Sequence, residues 1–159
     1  MRRAGVECLM VSADDQDTVT GARGMEVTMD EKLSEIDDQC DLVVLPGGIP
    51  GVPNLKTNSK VQAMVKAQND RGGYVAAICA GPTALGAFGV LADKNATCYP
   101  GCEDQLMAKR HSTEPVVVDG NVITSRGVGT AIEFALKLVE ILIDRQTADD
   151  LAEKIVYKR

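Results

Sequence analysis

Between Gly73 and Leu85 the chain reads Gly73-Tyr74-Val75-Ala76-Ala77-Ile78-Cys79-Ala80-Gly81-Pro82-Thr83-Ala84-Leu85, and no other stretch restricts the fold as tightly. The apolar segment from Val75 to Ile78 reads as a buried strand, and Pro82 suits the first turn of a helix. Only Cys79 and two small residues lie between them, so the strand must bend sharply into the helix at the cysteine. That is the geometry of a nucleophile elbow, with a thiol in place of the hydroxyl. A bend of this kind pushes its side chain out of the carboxyl edge of the sheet, where pockets form in open α/β folds. The free N–H groups at the start of the helix favour thiolate over thiol. The competing reading is a buried core cysteine, since free cysteine is among the most buried residue types. Small neighbours on both sides and the Gly-Pro helix start favour the reactive thiol.

The rest of the chain is organised around that elbow. At 159 residues it suits a single domain, 1–159, with one core. Asp41 to Leu45 reads as a buried strand ending at Pro46-Gly47-Gly48, and paired glycines there let backbone N–H groups face a ligand. Ser59 to Arg71 is an amphipathic helix carrying Val61, Met64 and Val65 and stopped by Gly72. Ala96 to Pro100 reads as a short strand ending at the same sheet edge as the elbow, and Glu103 to Arg110 as helix. Val116 to Val118 and Val122 to Thr124 flank Asp119-Gly120-Asn121, a hairpin signal. Ser125 to Thr130 is a glycine-bearing loop into a helix whose core stripe is Ile132, Ala135, Leu136, Val139, Leu142 and Ile143. Thr147 with Asp150 resembles a capping box for a last helix.

Before the first clear strand the pattern is less regular. Arg2, Arg3 and Gly5 read as the last turn of a helix and its cap, and Cys8 to Val11 as a strand. Ser12 to Gly24 is loop or weak hairpin, Met25 to Thr28 a short strand, and Asp30 a cap for a short helix with Leu33 and Ile36. A doubly wound domain ordinarily opens with a strand and helix absent from this pattern. The expectation is therefore a chain that begins part-way through a βαβ unit, the alternative being a short natural terminus with a basic tail.

The formal net charge of −6 argues against nucleic acid or an anionic membrane as main partner. No apolar run reaches the ~18 residues a membrane span needs. Five cysteines, an odd number without paired spacing, point to reduced thiols and a cytoplasmic setting. Aromatic residues make up 3% of the chain, so branched aliphatics and alanine must fill the core.

Three strand ends converge in this reading: the loop at Gly47-Gly48, the elbow at Cys79 and the loop at Gly127-Gly129. Glycine N–H donors facing a thiolate are what an oxyanion hole requires. The proton partner is less evident. His111, the one histidine, sits in the charged stretch Lys109 to Thr113, which reads more readily as solvated loop than as acid/base. Cys98, Cys102 and His111 match no common zinc spacing and lack a fourth ligand, so no metal is implied. Cys8 and Cys40 read as packing residues. The glycine loops match neither the dinucleotide fingerprint nor the P-loop, so no nucleotide cofactor is implied either.

Ala76-Ala77-Ile78-Cys79-Ala80-Gly81-Pro82, Val43-Val44-Leu45-Pro46-Gly47-Gly48 and Thr124-Ser125-Arg126-Gly127-Val128-Gly129-Thr130 together resemble the signature segments of the ThiJ/PfpI family, closest to its DJ-one branch. The resemblance implies a flavodoxin-like, class I glutamine amidotransferase-like α/β domain: a doubly wound, mostly parallel sheet with helices on both faces, assembled as a homodimer. It implies cysteine-dependent chemistry on small dicarbonyls, either glutathione-independent glyoxalase action on methylglyoxal or deglycase action on early glycation adducts. The alternative within the family is an oxidation sensor or chaperone-like protein switched at the same cysteine. By position, Cys79 is the nucleophile, the Gly48 and Ala80 N–H groups form the oxyanion site, Gly47 and Gly127 line it, and Arg3 and Arg23 match anion-holding arginines. Two departures stand out. The family's acid/base glutamate belongs to a first helix upstream of everything present here, and Val128 replaces a proline. Where some relatives place a histidine near the cysteine, the corresponding position falls close to Ala108.

Overall fold

The computed structural model describes residues 1–37 and 39–158. The strands and helices follow in order as β1 (Val11–Ser12), β2 (Thr18–Thr20), β3 (Glu26–Thr28), β4 (Glu31–Lys32), β5 (Leu42–Leu45), α1 (Gly51–Thr57), α2 (Ser59–Asp70), β6 (Tyr74–Ile78) and α3 (Pro82–Ala87). The second half continues with β7 (Asn95–Ala96), β8 (Arg110–His111), β9 (Val116–Asp119), β10 (Val122–Ser125), α4 (Ala131–Leu142) and α5 (Arg145–Lys154). The main sheet has the order β5-β6-β10-β9. Its first three strands are parallel, and β9 returns antiparallel through the Gly120-Asn121 turn.

Alternation along the central strands divides the core between two faces. Val75 and Ala77 of β6 and Val122 of β10 pack toward α2 and α3 with Val65, Leu85 and Leu91, whereas Ala76 and Ile123 pack against Phe134 and Leu138 of α4. Helices on both faces of a mostly parallel sheet make this the doubly wound, flavodoxin-like arrangement expected from the sequence. Gln68, wholly buried near the end of α2, ties that helix to the sheet by donating to the carbonyls of Asp41 and Tyr74. Gly73 must lack a side chain there, since its Cβ would lie 2.3 Å from the Gln68 amide.

Several local expectations are corrected. Strand β1 is only Val11–Ser12, whereas the weak hairpin forms as expected, with Thr18–Thr20 paired to Glu26–Thr28. Asp30 caps no helix, because its carboxylate already accepts from the Met10 N–H and pairs with Arg2. The chain runs on as β4, parallel to β1, while Leu33 still reaches the core from a turn. Strand β7 ends at Ala96 and pairs with β8 in a separate two-stranded sheet. The expected helix from Glu103 is a single 3₁₀ turn, Glu103–Gln105, and Met107 at φ 50° prevents its continuation. In α4 the buried residues are Phe134, Leu136, Leu138 and Val139, while Ile132 and Ile143 are exposed. Leu136 and Val139 are buried as expected, and the buried face widens because α4 is covered from two directions, by the sheet at Phe134 and Leu138 and by α5 on another side. Asp144, not Thr147, caps α5, accepting from the Thr147 N–H at 2.7 Å. The turn at Arg2–Ala4 closes as expected on Gly5, at φ 80°.

Helix α3 seats directly against the Glu103–Gln105 turn, because a Cβ on Gly86 would lie 2.1 Å from the Leu106 carbonyl oxygen. Gly86→Ala should therefore cost about 1–3 kcal/mol despite the better helix propensity of alanine. Urea unfolding followed by circular dichroism measures it.

Candidate active site

The carboxyl ends of β5, β6 and β10 share one sheet edge, because their registers pair Leu45 with Ala77 and Ser125 with Ile78. Cys79 follows immediately at φ 64°, a left-handed conformation that a non-glycine residue adopts only where its surroundings enforce it. Those surroundings are visible. Its N–H donates to the Ser125 carbonyl at 3.0 Å, and its own carbonyl accepts from the Tyr99 N–H at 2.8 Å. The Gly81 N–H folds back onto the Ile78 carbonyl, and α3 begins with Pro82.

Two glycines make the close packing possible. A Cβ on Gly47 would lie 2.5 Å from the Cys79 Cβ and 3.0 Å from its Sγ, so the thiol rests against bare backbone. A Cβ on Gly81 would lie 2.7 Å from the Leu45 carbonyl oxygen, which brings the elbow hard against the end of β5. Among the described residues, the N–H groups of Gly48 and Ala80 donate to no acceptor. The Ala80 N–H matters most, since that residue is buried and an unpaired buried donor calls for a ligand or ordered water. No side chain among the described residues hydrogen-bonds the Cys79 thiol.

Gly127 joins the site through Tyr99, whose ring lies 3.3 Å from where its Cβ would be. The loop is tied by Thr130, whose hydroxyl accepts from the Gly127 N–H and pairs with Ser125 Oγ at 2.7 Å. Val128 stands exposed. Tyr99 is the residue that sequence reading missed. Position 108, assigned there by resemblance, packs instead against the core beneath α3. The available signal was the Pro100-Gly101 pair, which folds the chain back just after Tyr99.

Other expected residues stand apart from the thiol. Arg3 lines a groove with Ile132 and Leu136 of α4, and Arg23 lies in the exposed loop between β2 and β3. His111 belongs to β8, with Nε2 buried and unpaired among the described residues, close enough to Glu103 to help lower that carboxyl. The larger influences on Glu103 are hydrogen bonds from its own and the Gly101 N–H. No three His, Cys, Asp or Glu side chains among the described residues cluster closely enough to hold a metal ion. No helix among them is long and apolar enough to cross a membrane.

Comparison with known proteins agrees with this fold. Residues 1–141 match the sequence profile of the DJ-1/PfpI family. Parkinson disease protein 7 homolog of Danio rerio is 40% identical over 163 residues, spanning 99% of this chain and 86% of the relative. Glutathione-independent glyoxalase DJR-1.2 of Caenorhabditis elegans is 33% identical over 156 residues, spanning 96% of this chain and 82% of the relative. The oxidized form of Toxoplasma gondii DJ-1 superposes with a TM-score of 0.95 at 35% identity, covering 99% of this chain and 87% of the other.

All five cysteines are free thiols, but they will not react alike. Cys98 is wholly buried, and burial, with help from Glu103, pushes its thiol up to about 11. Thiolate is the reactive form, so native Cys98 should resist iodoacetamide at neutral pH and label only as the pH approaches that value. Because the unfolded thiol ionises first as pH rises, the same group should withdraw stability across the alkaline range below its folded pKa. Peptide mapping after labelling at stepped pH checks the first expectation, and alkaline urea midpoints for the parent and Cys98→Ala check the second.

Proposed function

The chain belongs to the DJ-1/PfpI family, and from that premise we propose that it is a cysteine-dependent, glutathione-independent glyoxalase or deglycase working through Cys79. The observation that carries this reading is the left-handed backbone at Cys79 beside the unclaimed Ala80 N–H. A thiol at such a bend stands clear of its own strand, and a free donor next to it suits the oxygen that gains charge when the sulfur attacks a carbonyl. The activity in the name of the Caenorhabditis elegans relative supports the same substrate class.

In this reading the Cys79 thiolate adds to the aldehyde carbon of methylglyoxal, and the former carbonyl oxygen is held by the N–H groups of Ala80 and Gly48 as a hemithioacetal. A proton leaves the aldehyde carbon and another arrives at the neighbouring ketone carbon. The first carbon is thereby oxidised to a thioester and the second reduced to an alcohol. Water then cleaves the carbon–sulfur bond, releasing lactate and restoring the thiol. Deglycase action uses the same attack on an early adduct, with the amine as leaving group. Gly47 and Gly127 border the site. Homodimerisation, with Arg3 and Arg23 holding anions near the dimer interface, belongs to the same proposal, as does a cytoplasmic, reduced setting.

A second reading, redox sensing at Cys79, is favoured by the oxidized state of the Toxoplasma gondii relative. A half-buried thiol without hydrogen-bond partners among the described residues serves oxidation as readily as carbonyl addition.

Cys79→Ser should reduce lactate formation from methylglyoxal to the buffer blank, and equal rates in parent and variant would sink the enzyme reading. No acid or base side chain among the described residues hydrogen-bonds the thiol, so buffer species can assist proton transfer in this chain. The parent rate at fixed pH and ionic strength should rise with buffer concentration. General acid–base assistance is worth ~10²–10⁴ in rate, so the rise should be measurable in a coupled lactate assay.

A further inference from the structure

Three of the five cysteines occupy one neighbourhood, and the proposed activity uses only one of them. The Tyr99 N–H is bonded to the Cys79 carbonyl, and the Cys102 N–H is bonded to the Tyr99 carbonyl at 3.0 Å. Pro100 and Gly101, the latter at φ 91°, form the two central positions of the reversal between them. Cys102 is therefore carried back toward the elbow by a four-residue turn that hangs from the reactive residue's own backbone. Its side chain is half-buried against the core, and burial followed by the charge of Cys79 raises its thiol, so the two sulfurs lie within electrostatic reach.

The other cysteines are placed differently. Cys98 is wholly buried. Cys40 approaches Gln68 at the opposite end of β6, with its sulfur 3.9 Å from the amide oxygen. Cys8 lies beside Arg2, which donates to its carbonyl.

We propose that Cys102 is the resolving thiol for Cys79, so that peroxide oxidation of this protein ends in a reversible Cys79–Cys102 disulfide. The inference rests on reading Cys79 as the reactive thiol. In the first step the Cys79 thiolate attacks a hydroperoxide: the O–O bond breaks, an alkoxide or hydroxide leaves, and the sulfur becomes a sulfenic acid. In the second the Cys102 sulfur attacks the sulfenyl sulfur, its proton leaves with the hydroxyl as water, and the S–S bond forms. The hydroperoxide is reduced by two electrons and the two thiols supply them. A thiol reductant reverses the product, which a sulfinic acid would not allow. The disulfide also occupies the nucleophile, so activity pauses until reduction.

Hydrogen peroxide in a few-fold molar excess, followed by intact-mass measurement and non-reducing peptide mapping, tests the pair in the full chain. The parent should lose the mass of two hydrogens, show a cross-link between the Cys79 peptide and the peptide holding Cys98 and Cys102, and revert with dithiothreitol. Cys98→Ser should keep that cross-link, which assigns it to Cys102. Cys102→Ser should instead gain the mass of two oxygens on the Cys79 peptide, irreversibly, with circular dichroism matching the parent. Irreversible gain of two oxygens in the parent itself, with no cross-link, overturns the resolving role and leaves the reactive thiol standing. A cross-link lost in Cys98→Ser overturns it as well. No oxidation at Cys79 in any protein overturns both readings together.

Discussion

Everything at the sheet's carboxyl edge depends on one residue being held where its backbone would not go alone. A positive φ at a residue with a side chain costs on the order of 1–3 kcal/mol. At Cys79 that cost is offset on both flanks, by the bond to Ser125 at the end of β10 and by the bond from Tyr99. Neither partner is local. The neighbouring strand must be in register and the segment after β7 must fold back before the elbow is stable. The conformation of the candidate nucleophile is thus a readout of the assembled fold and not of its own tripeptide.

The glycines around it act by omission. Gly47 and Gly81 leave space that the Cys79 side chain and the β5 carbonyls occupy, and neither needs an unusual φ to do so. Gly48 does adopt a positive φ, and turns its N–H toward no acceptor among the described residues. A loop that looks like an ordinary Pro-Gly-Gly turn therefore has two tasks, close approach at its first glycine and donor presentation at its second.

The parts of this fold legible in the sequence are those where local and long-range demands agree. The run from Tyr74 to Pro82 marked strand, elbow and helix together, and the Asp119-Gly120-Asn121 signal marked the hairpin, because in both the turn chemistry leaves one option. Where the two demands conflict, tertiary contacts decided. Asp30 has the chemistry of a cap, but Met10 and Arg2 occupy its carboxylate. The α4 stripe was legible in part: Leu136 and Val139 are buried as read, but the sheet also takes Phe134 and Leu138, while Ile132 stays exposed. Tyr99 was legible only through its neighbours Pro100 and Gly101. Its placement rests on its main chain bonding to the elbow, and a residue's backbone hydrogen bond leaves no trace in its own letter.

The middle of β6 consists of Val75, Ala76 and Ala77, all wholly buried, with helices pressed against both sides. Methyl-sized side chains there bring α4 and the α2–α3 layer close to the ribbon that ends in Cys79. Such a spine has almost no mutational slack. An added methylene at Ala76 or Ala77 would have to be accommodated by lifting an entire helix, and the displacement would travel along the strand to the sulfur a few ångströms away. Directed evolution of this protein would therefore find its freedom in the loops around the mouth and very little of it in the beam that holds the reactive atom up.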